Sequence, residues 1–395
     1  MFDADVVIIG AGAAGLSLAH RLARPAPGGR PLSAVLLEAP PGPLRPPART
    51  WCFWEAGPGR WDPAVHASWT RLRVHSPDGR PIEAGIEPLR YKMLRSDDFE
   101  RLVGQDLARH GRVRRIEAAV GDVEARPPGA LVHARAPDGR ALAVRARWVF
   151  DSRPLTSPPP ARTTLLQHFR GWFVRTRRPA FDADRVDLMD FRTPQPAHGL
   201  SFGYVLPSGP HEALVEYTEF SRAPLTGPAY DRALRHYTAT VLGLDAFEVV
   251  GTETGVIPMT DAVFARRTAP SVFRIGAAGG ATRPATGYTF AGLQRQTAAV
   301  AEALRRGRGP LPPRAHPTRA RAMDAVLLHA LHSGLVDGPA FFTGLFSRVP
   351  ATRLLRFLDG GTRLGEEIGI GLRTPVRPML RAAAEVARLP RRPAP

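Results

Sequence analysis

Gly10-Ala11-Gly12-Ala13-Ala14-Gly15 is a G-x-G-x-x-G run, and Glu38 closes the next apolar segment. At this spacing Gly10 permits a tight turn. Gly12 removes a Cβ so that backbone can approach a pyrophosphate, and Gly15 lets a helix pack close to a strand. Free N–H groups around Ala14, at the positive end of that helix, would face the phosphates. The Glu38 carboxylate would accept hydrogen bonds from a ribose. The chemistry is dinucleotide binding, and an acid at position 38 suits FAD or NAD while repelling the 2′-phosphate of NADP. A second glycine-rich run, Gly276-Ala277-Ala278-Gly279-Gly280, follows another apolar segment and leads through Thr286-Gly287-Tyr288 into a helix. Taken alone, that run also reads as a strand-to-helix turn whose glycines serve packing.

These residues need strands and helices to hold them. Residues 2–9 read as a buried strand, a helix opens near Leu16, and residues 34–38 form a second strand, which completes a βαβ unit. Residues 25–31 are expected to turn between the helix and the second strand, and residues 40–48 form a proline-rich loop. Residues 71–75 and 80–86 form a hairpin around Pro77-Asp78-Gly79, and Ser96 caps a helix that buries Phe99. Strands are expected at 113–125 and 130–136, with a further buried strand at 147–153 that carries Asp151 near its end. From 162 to 260 the pattern changes to period two, interrupted by one helix at about 228–242. A strand at 272–276 and a helix at 292–305 follow, then a linker at 307–317 and a helical remainder broken at Pro339, Pro350, Gly360-Gly361 and Pro375.

The fold expected is α/β. A Rossmann-like nucleotide-binding domain (1–160, with a small inserted hairpin near 70–90, and 261–306) is interrupted by a mixed or antiparallel sheet domain (161–260). A helical region (318–395) follows. Composition narrows the function. The net charge is +18, with Lys92 the only lysine and arginines spread along the whole chain. That charge admits either attraction to an anionic surface or a compositional bias toward Arg, Ala, Pro and Gly. No helix-turn-helix, zinc finger or RNP motif is present, so no nucleic-acid partner is expected. Asp3 and Asp5 stand where a basic leader would lie, and no apolar stretch reaches the length of a bilayer span. Cys52 is the only cysteine, so no intrachain disulfide forms, and a cytoplasmic protein is expected. His329 and His332 are spaced i, i+3 without a third ligand and read as structural, so no metal is expected.

Taken together, these blocks resemble the flavin-dependent lycopene cyclase family, within a flavoprotein group that includes aromatic hydroxylases and geranylgeranyl reductases. The resemblance covers nearly the whole chain. Arg49-Thr50-Trp51-Cys52-Phe53-Trp54 resembles the family's aromatic block. Tyr91-Lys92-Met93-Leu94-Arg95-Ser96 resembles its stretch before a helix, and Leu214-Val215-Glu216-Tyr217-Thr218-Glu219-Phe220 its acidic strand. Gly255-Val256-Ile257-Pro258-Met259 resembles its G-V-I-P strand, and Phe341-Phe342 with Arg356-Phe357-Leu358-Asp359 its C-terminal helices. Arg283-Pro284-Ala285-Thr286-Gly287-Tyr288, after Gly276 to Gly280, resembles the second flavin motif and is the most specific block. Two departures stand out. Tyr217 replaces the second acid of the acidic motif, and Ala277 stands where the wider group carries an aspartate.

The resemblance implies FAD, reduced by NADPH or NADH, and a carotenoid substrate whose ends are closed into rings without net electron transfer. It assigns the cofactor to Gly10, Gly12, Ala14, Gly15 and Glu38, then to Arg95 and Asp151, and finally to Gly276, Gly279, Gly280, Thr286, Gly287 and Tyr288. Arg95 reads equally as a solvated charge before a helix, and Asp151 as a turn residue. By pattern alone Glu216 is an acidic residue on the solvent face of a sheet; the motif makes it the candidate acid. Glu219 lies on the opposite face and is expected to be solvated. Trp51, Phe53, Trp54, Tyr288 and Phe290 would line a polyene tunnel or, taken singly, serve as core. A basic, amphipathic C-terminal helix beside so insoluble a substrate implies peripheral attachment to the inner face of an anionic membrane. A monooxygenase or isoprenoid reductase on the same scaffold is the alternative, and a binding protein that retains FAD without catalysis is a third.

Overall fold

The structure is a computed structural model that describes residues 2–24, 32–244 and 246–393; the turn expected at 25–31 lies outside the described residues. The elements begin β1 (Ala4–Ile9), α1 (Ala13–Ala23), β2 (Ala34–Glu38), β3 (Thr50–Ala56), β4 (Val65–Trp69), β5 (Arg71–His75), β6 (Pro81–Gly85), β7 (Leu89–Arg95) and α2 (Ser96–His110). They continue β8 (Val113–Glu117), β9 (Ala119–Arg126), β10 (Gly129–Arg135), β11 (Ala141–Asp151), β12 (Thr164–Thr176), β13 (Arg185–Asp190), β14 (Leu200–Gly209), β15 (Glu212–Ser221), α3 (Gly227–His236) and β16 (Phe247–Thr260). Last come β17 (Arg267–Ala269), β18 (Val272–Arg274), α4 (Phe290–Arg305), α5 (Thr318–His332), α6 (Gly338–Arg348), α7 (Ala351–Leu358), α8 (Leu364–Gly371) and α9 (Val376–Arg388).

The nucleotide sheet runs β17-β18-β11-β1-β2-β8, parallel except for the β17–β18 pair, with β10 and β9 branching antiparallel from β11. Val6, Val7, Ile8 and Ile9 of β1 are all buried, because α1 and α4 cover one face and β10 the other. Such a strand reads as a continuous apolar run. Ile9 pairs with Asp151 and Leu37 with Ile9, so Gly10, Glu38 and Asp151 reach the same C-terminal edge of the sheet. Ligands of open α/β sheets bind at that edge.

The second sheet has seven strands in the order β16-β12-β15-β14-β13-β5-β6, antiparallel except where β13 meets β5. One face packs on α3 through Trp172, Val215, Tyr217 and Tyr237. The other faces a smaller sheet, β3-β7-β4, and the C-terminal helices. The 71–86 hairpin therefore extends the second sheet, because β5 pairs with β13 rather than with any strand of the nucleotide sheet. The expected 113–125 strand is two: Ala118 breaks it into β8, which follows β2, and β9, which pairs with β10. The 228–242 helix ends as a π-helical turn over Tyr237–Val241, where buried Tyr237 donates its hydroxyl to Asp190. The C-terminal part is helical from α5 to α9, with Pro350 and Pro375 at the N-caps of α7 and α9. Buried Arg283 ties this part to the loop before α4: it pairs with Asp324 of α5 at 2.6 Å and donates to the Phe357 and Leu358 carbonyls of α7.

Candidate functional site

At the nucleotide end, Gly10 adopts φ +93°, and a Cβ on Gly15 would lie 1.9 Å from the Gly10 carbonyl oxygen, so α1 can start only where glycine stands. Gly12 is different. A Cβ there would meet no heavy atom within 4 Å among the described residues, and no side chain among them caps the first turn of α1. The chain thus presents an open backbone surface at a positive helix end, which fits a pyrophosphate. A Cβ on Gly276 would lie 2.8 Å from Ala14 Cβ, so the second glycine-rich turn packs directly against the first.

Glu38 is buried with both oxygens engaged: Arg115 Nε donates to Oε2 at 2.7 Å, and Arg45 pairs with Oε1 at 3.1 Å. Asp151 is held by Arg153 at 2.7 Å, and Arg153 in turn donates to the Val120 and Gly121 carbonyls. Gly279 and Gly280 lie in the turn after β18, where a Cβ on Gly279 would stand 2.5 Å from the Arg274 carbonyl oxygen and Gly280 has φ +75°.

The Thr286-Gly287-Tyr288 turn lies against the second sheet. Gly287 adopts φ +73°, and a Cβ there would come within 2.3 Å of Gln167 Oε1. That oxygen is buried and accepts no hydrogen bond among the described residues. The Tyr288 amide approaches Thr286 Oγ1 at 3.5 Å. Tyr288 joins a chain of buried hydroxyls: Tyr288 to Tyr91 is 2.8 Å and Tyr91 to Tyr204 is 2.6 Å, linking the α4 loop, β7 and β14. Trp54 packs edge-on to Tyr288 at 4.7 Å.

The alternation of β3 divides the aromatic block. Cys52 and Trp54 face this tyrosine cluster, whereas Trp51 and Phe53 pack on Phe290 in the nucleotide core at 5.8 and 4.8 Å. Burial pushes the Cys52 thiol up to about 12.

Glu216 lies on β15, buried at 5% exposure, where Thr218 Oγ1 donates to it at 2.7 Å. Burial, and then the charge of Glu253, push its carboxyl well above the usual range. Glu253 belongs to β16 and has the same register as Glu216 across Gly171 of β12. It accepts a hydrogen bond from Thr50 Oγ1 at 2.7 Å. Burial raises its pKa too, offset by the Thr50 hydrogen bond and by Arg95 and Arg49. Arg95 stands with its guanidinium 4.9 Å from the centre of the Phe173 ring.

Glu219 is not solvated. It is buried on the α3-covered face, accepts from Tyr217 at 2.8 Å and lies 3.7 Å from His168. The expectation failed because period two says which face a residue takes and not whether a helix covers it. His329 pairs with Glu385 at 2.8 Å, and no group of metal-ligating side chains occurs among the described residues. Sequence reasoning missed Glu253 and Tyr204 and used Tyr91 only as a motif residue. The alternation Gly251-x-Glu253-x-Gly255 was a legible sign of an acid on a strand face kept open by glycines.

The chain matches the family described as Lycopene cyclase protein over residues 5–384. No curated protein matches it significantly. Among solved structures it is similar to a geranylgeranyl bacteriochlorophyll reductase-like protein from Thermoplasma acidophilum (TM-score 0.63, 14% identity, covering 97% of this chain and 99% of that one). It is similar also to a flavoprotein/dehydrogenase from Cytophaga hutchinsonii (TM-score 0.65, 12% identity, 98% and 100% covered). A third similar structure is aklavinone-11 hydroxylase in complex with FAD and aklavinone (TM-score 0.53, 17% identity, 86% and 66% covered). At these identities the likeness to solved structures is one of fold.

Proposed function

Because the chain belongs to the lycopene cyclase family, we propose that it is a lycopene β-cyclase, an isomerase that closes β-ionone rings on the ends of linear lycopene by redox-neutral acid catalysis with reduced FAD. One observation carries this reading: the Glu216 carboxyl is buried, with its pKa pushed up, on the face of the second sheet that meets the β3-β7-β4 sheet and its aromatic groups. Burial of this kind favours the protonated carboxyl, from which a proton can be delivered. Glu216 gives that proton to the terminal C=C. The cation that results is attacked by the neighbouring double bond, and the ring cation then loses a proton. The surrounding Tyr91, Tyr204, Tyr288 and Trp54 exclude water that would otherwise capture the cation, and their ring faces favour positive charge.

FAD would be held at its pyrophosphate by Gly10, Gly12, Ala14 and Gly15, at its ribose by Glu38, and along its remaining length by Asp151, Arg95, Gly276, Gly279, Gly280, Thr286, Gly287 and Tyr288. Bound, and reduced by NADPH or NADH, it would supply a flat, electron-rich surface that favours positive charge.

The substrate arrives from a membrane. Leu364 and Ile368 of α8, Leu372 just after it, and Val376 and Leu380 of α9 recur every fourth position and are all exposed, Leu372 at 69% and Leu380 at 66%. Exposed Arg363, Arg373, Arg377 and Arg381 flank them. Nearby Glu366 and Glu367 are neutralised by Arg356 and Arg319. No helix among the described residues is long and apolar enough to cross a bilayer. An apolar stripe edged with arginine suits the surface of an anionic bilayer.

Expression in a lycopene-accumulating host should convert the pigment to cyclic carotenes, and Glu216→Gln should abolish ring formation with FAD still bound. Consumption of one NAD(P)H or O₂ per product would instead identify a reductase or monooxygenase.

A further inference from the structure

We infer that Glu253 is the second catalytic carboxylate of this site: it receives the proton that the ring cation loses and returns it to Glu216. The inference rests on the cyclase reading above and on geometry that reading does not use. Glu216, Gly171 and Glu253 lie in one row across β15, β12 and β16. Gly171 contributes no side chain between the two acids. A Cβ at that position would stand 3.6 Å from Glu216 Cβ and 3.4 Å from Glu253 Cγ. The rings of the flanking Phe169 and Phe173 lie over Gly255 and Gly251, within 2.4 and 3.4 Å of where their Cβ atoms would be. The two rings therefore flank Glu253 along β16, and between the two acids only the flexible end of Leu214 lies over Gly171, with its Cδ1 2.7 Å from where a Cβ would be.

The two acids have unlike surroundings. Glu216 accepts a hydrogen bond from Thr218 of its own strand, acts electrostatically on Cys52 of β3 and Tyr288 of the loop before α4, and feels the charge of Glu253; its row neighbour on β14 is Tyr204. None of these is a cation. Glu253 accepts a hydrogen bond from Thr50 of β3 and feels the positive charges of Arg95 at the end of β7 and of Arg49 before β3. With burial acting on both, the arginines favour charge on Glu253, and that charge in turn favours a proton on Glu216. The pair rests as acid and base.

The steps balance without an oxidant or reductant. The Glu216 O–H bond breaks, and its proton forms a C–H bond at the terminal alkene carbon. The neighbouring alkene pair closes the ring. A C–H bond beside the ring cation breaks, its electron pair becomes the ring C=C, and the proton passes to the Glu253 carboxylate. Transfer from Glu253 to Glu216 restores the start. Which C–H bond breaks sets the position of the ring double bond, so the placement of Glu253 selects the ring isomer.

The test uses the full chain loaded with reduced FAD, and lycopene in phosphatidylglycerol-containing vesicles. Glu253→Gln is expected to keep flavin and to lose about 10²-fold or more in kcat, the usual worth of a general base. Its pH–rate profile should lose the ascending limb, which reports ionisation of Glu253. The descending limb, which reports loss of the Glu216 proton, should move to lower pH once the repelling charge is gone. Its product should be a mixture of ring isomers, and Glu253→Asp should recover part of the rate and the ascending limb. Glu253→Gln with the parent rate, profile and single isomer would overturn the inference and leave the cyclase reading intact, provided Glu216→Gln is inactive. Loss of flavin in Glu253→Gln, together with an unchanged ascending limb in Glu253→Asp, would also overturn it. Absence of any ring from the parent protein would overturn both.

Discussion

Gly171→Ala separates the cost of folding from the cost of chemistry. Gly171 lies in ordinary extended backbone, so an alanine there meets only what surrounds its methyl: Leu214 Cδ1 at 2.7 Å, then Glu253 and Glu216 atoms at 3.4 and 3.6 Å. The one close contact is the end of a flexible side chain. Overpacking of this kind costs about 1–3 kcal/mol. Replacing glycine by alanine in a compatible backbone returns about 0.5–1 kcal/mol. The net loss is about 0–2.5 kcal/mol. Unfolding entropy of about 2 cal/mol/K per residue over 395 residues comes to about 0.8 kcal/mol/K, so Tm should fall by no more than about 2–3 °C. Flavin binding should not change. The methyl nevertheless stands between the carboxylates and pushes the Leu214 end outward, and a displacement of the polyene end by about 1 Å should lower kcat/KM by about 10²-fold, or about 2.7 kcal/mol of barrier. A thermal scan, a flavin titration and chromatography of the carotenes read the three quantities. Parent-like turnover would refute the placement of the reaction over Gly171. A Tm loss several times larger would refute the claim that the methyl is easily accommodated.

Two further outcomes follow from the same coordinates. Gly12→Val should lower the thermal stability of the flavin-free chain by no more than an N-cap change, about 0.5–2 kcal/mol, because a Cβ there meets no atom within 4 Å. It should weaken FAD by about 10–10²-fold, or about 1.4–2.8 kcal/mol. Gly15→Ala, whose Cβ would sit 1.9 Å from a carbonyl oxygen, should instead fail to fold; equal flavin affinity in Gly12→Val and parent would argue against a pyrophosphate there. The pair Leu372→Glu and Leu380→Glu removes two exposed anchors, each worth about 1.5–3 kcal/mol when buried. Flotation with anionic vesicles should drop by about 10²-fold or more, while activity on detergent-dispersed substrate stays. Undiminished flotation would move the membrane face elsewhere.

The parts of this molecule that could be read from sequence are those whose information is local. Gly10 to Gly15 and Glu38 announce a βαβ turn because glycine, helix and strand lie within one short segment, and β2 forms over the residues that its apolar run marks. The prolines at 350 and 375 start helices for the same reason. Glu216 could be placed on a strand, and its motif pointed to an acid. Its burial could not be derived, because that depends on β7, β14 and the α4 loop bringing Tyr91, Tyr204 and Tyr288 to one place from three parts of the chain.

Glu219 shows the same limit from the other side: its face was read correctly, and only α3, packed through Tyr230, keeps water from it. Glu253 was the hardest to see. Its partner lies 37 positions away (253 − 216) and across an intervening strand, and no periodicity within β16 encodes that register. What the strands do carry is a set of glycines. Gly171, Gly251 and Gly255 weaken the β-structure they sit in, and a strand keeps such residues where something must approach its backbone. Two of them make room for phenylalanine rings, while the third, between two carboxylates, makes room for the flexible end of Leu214.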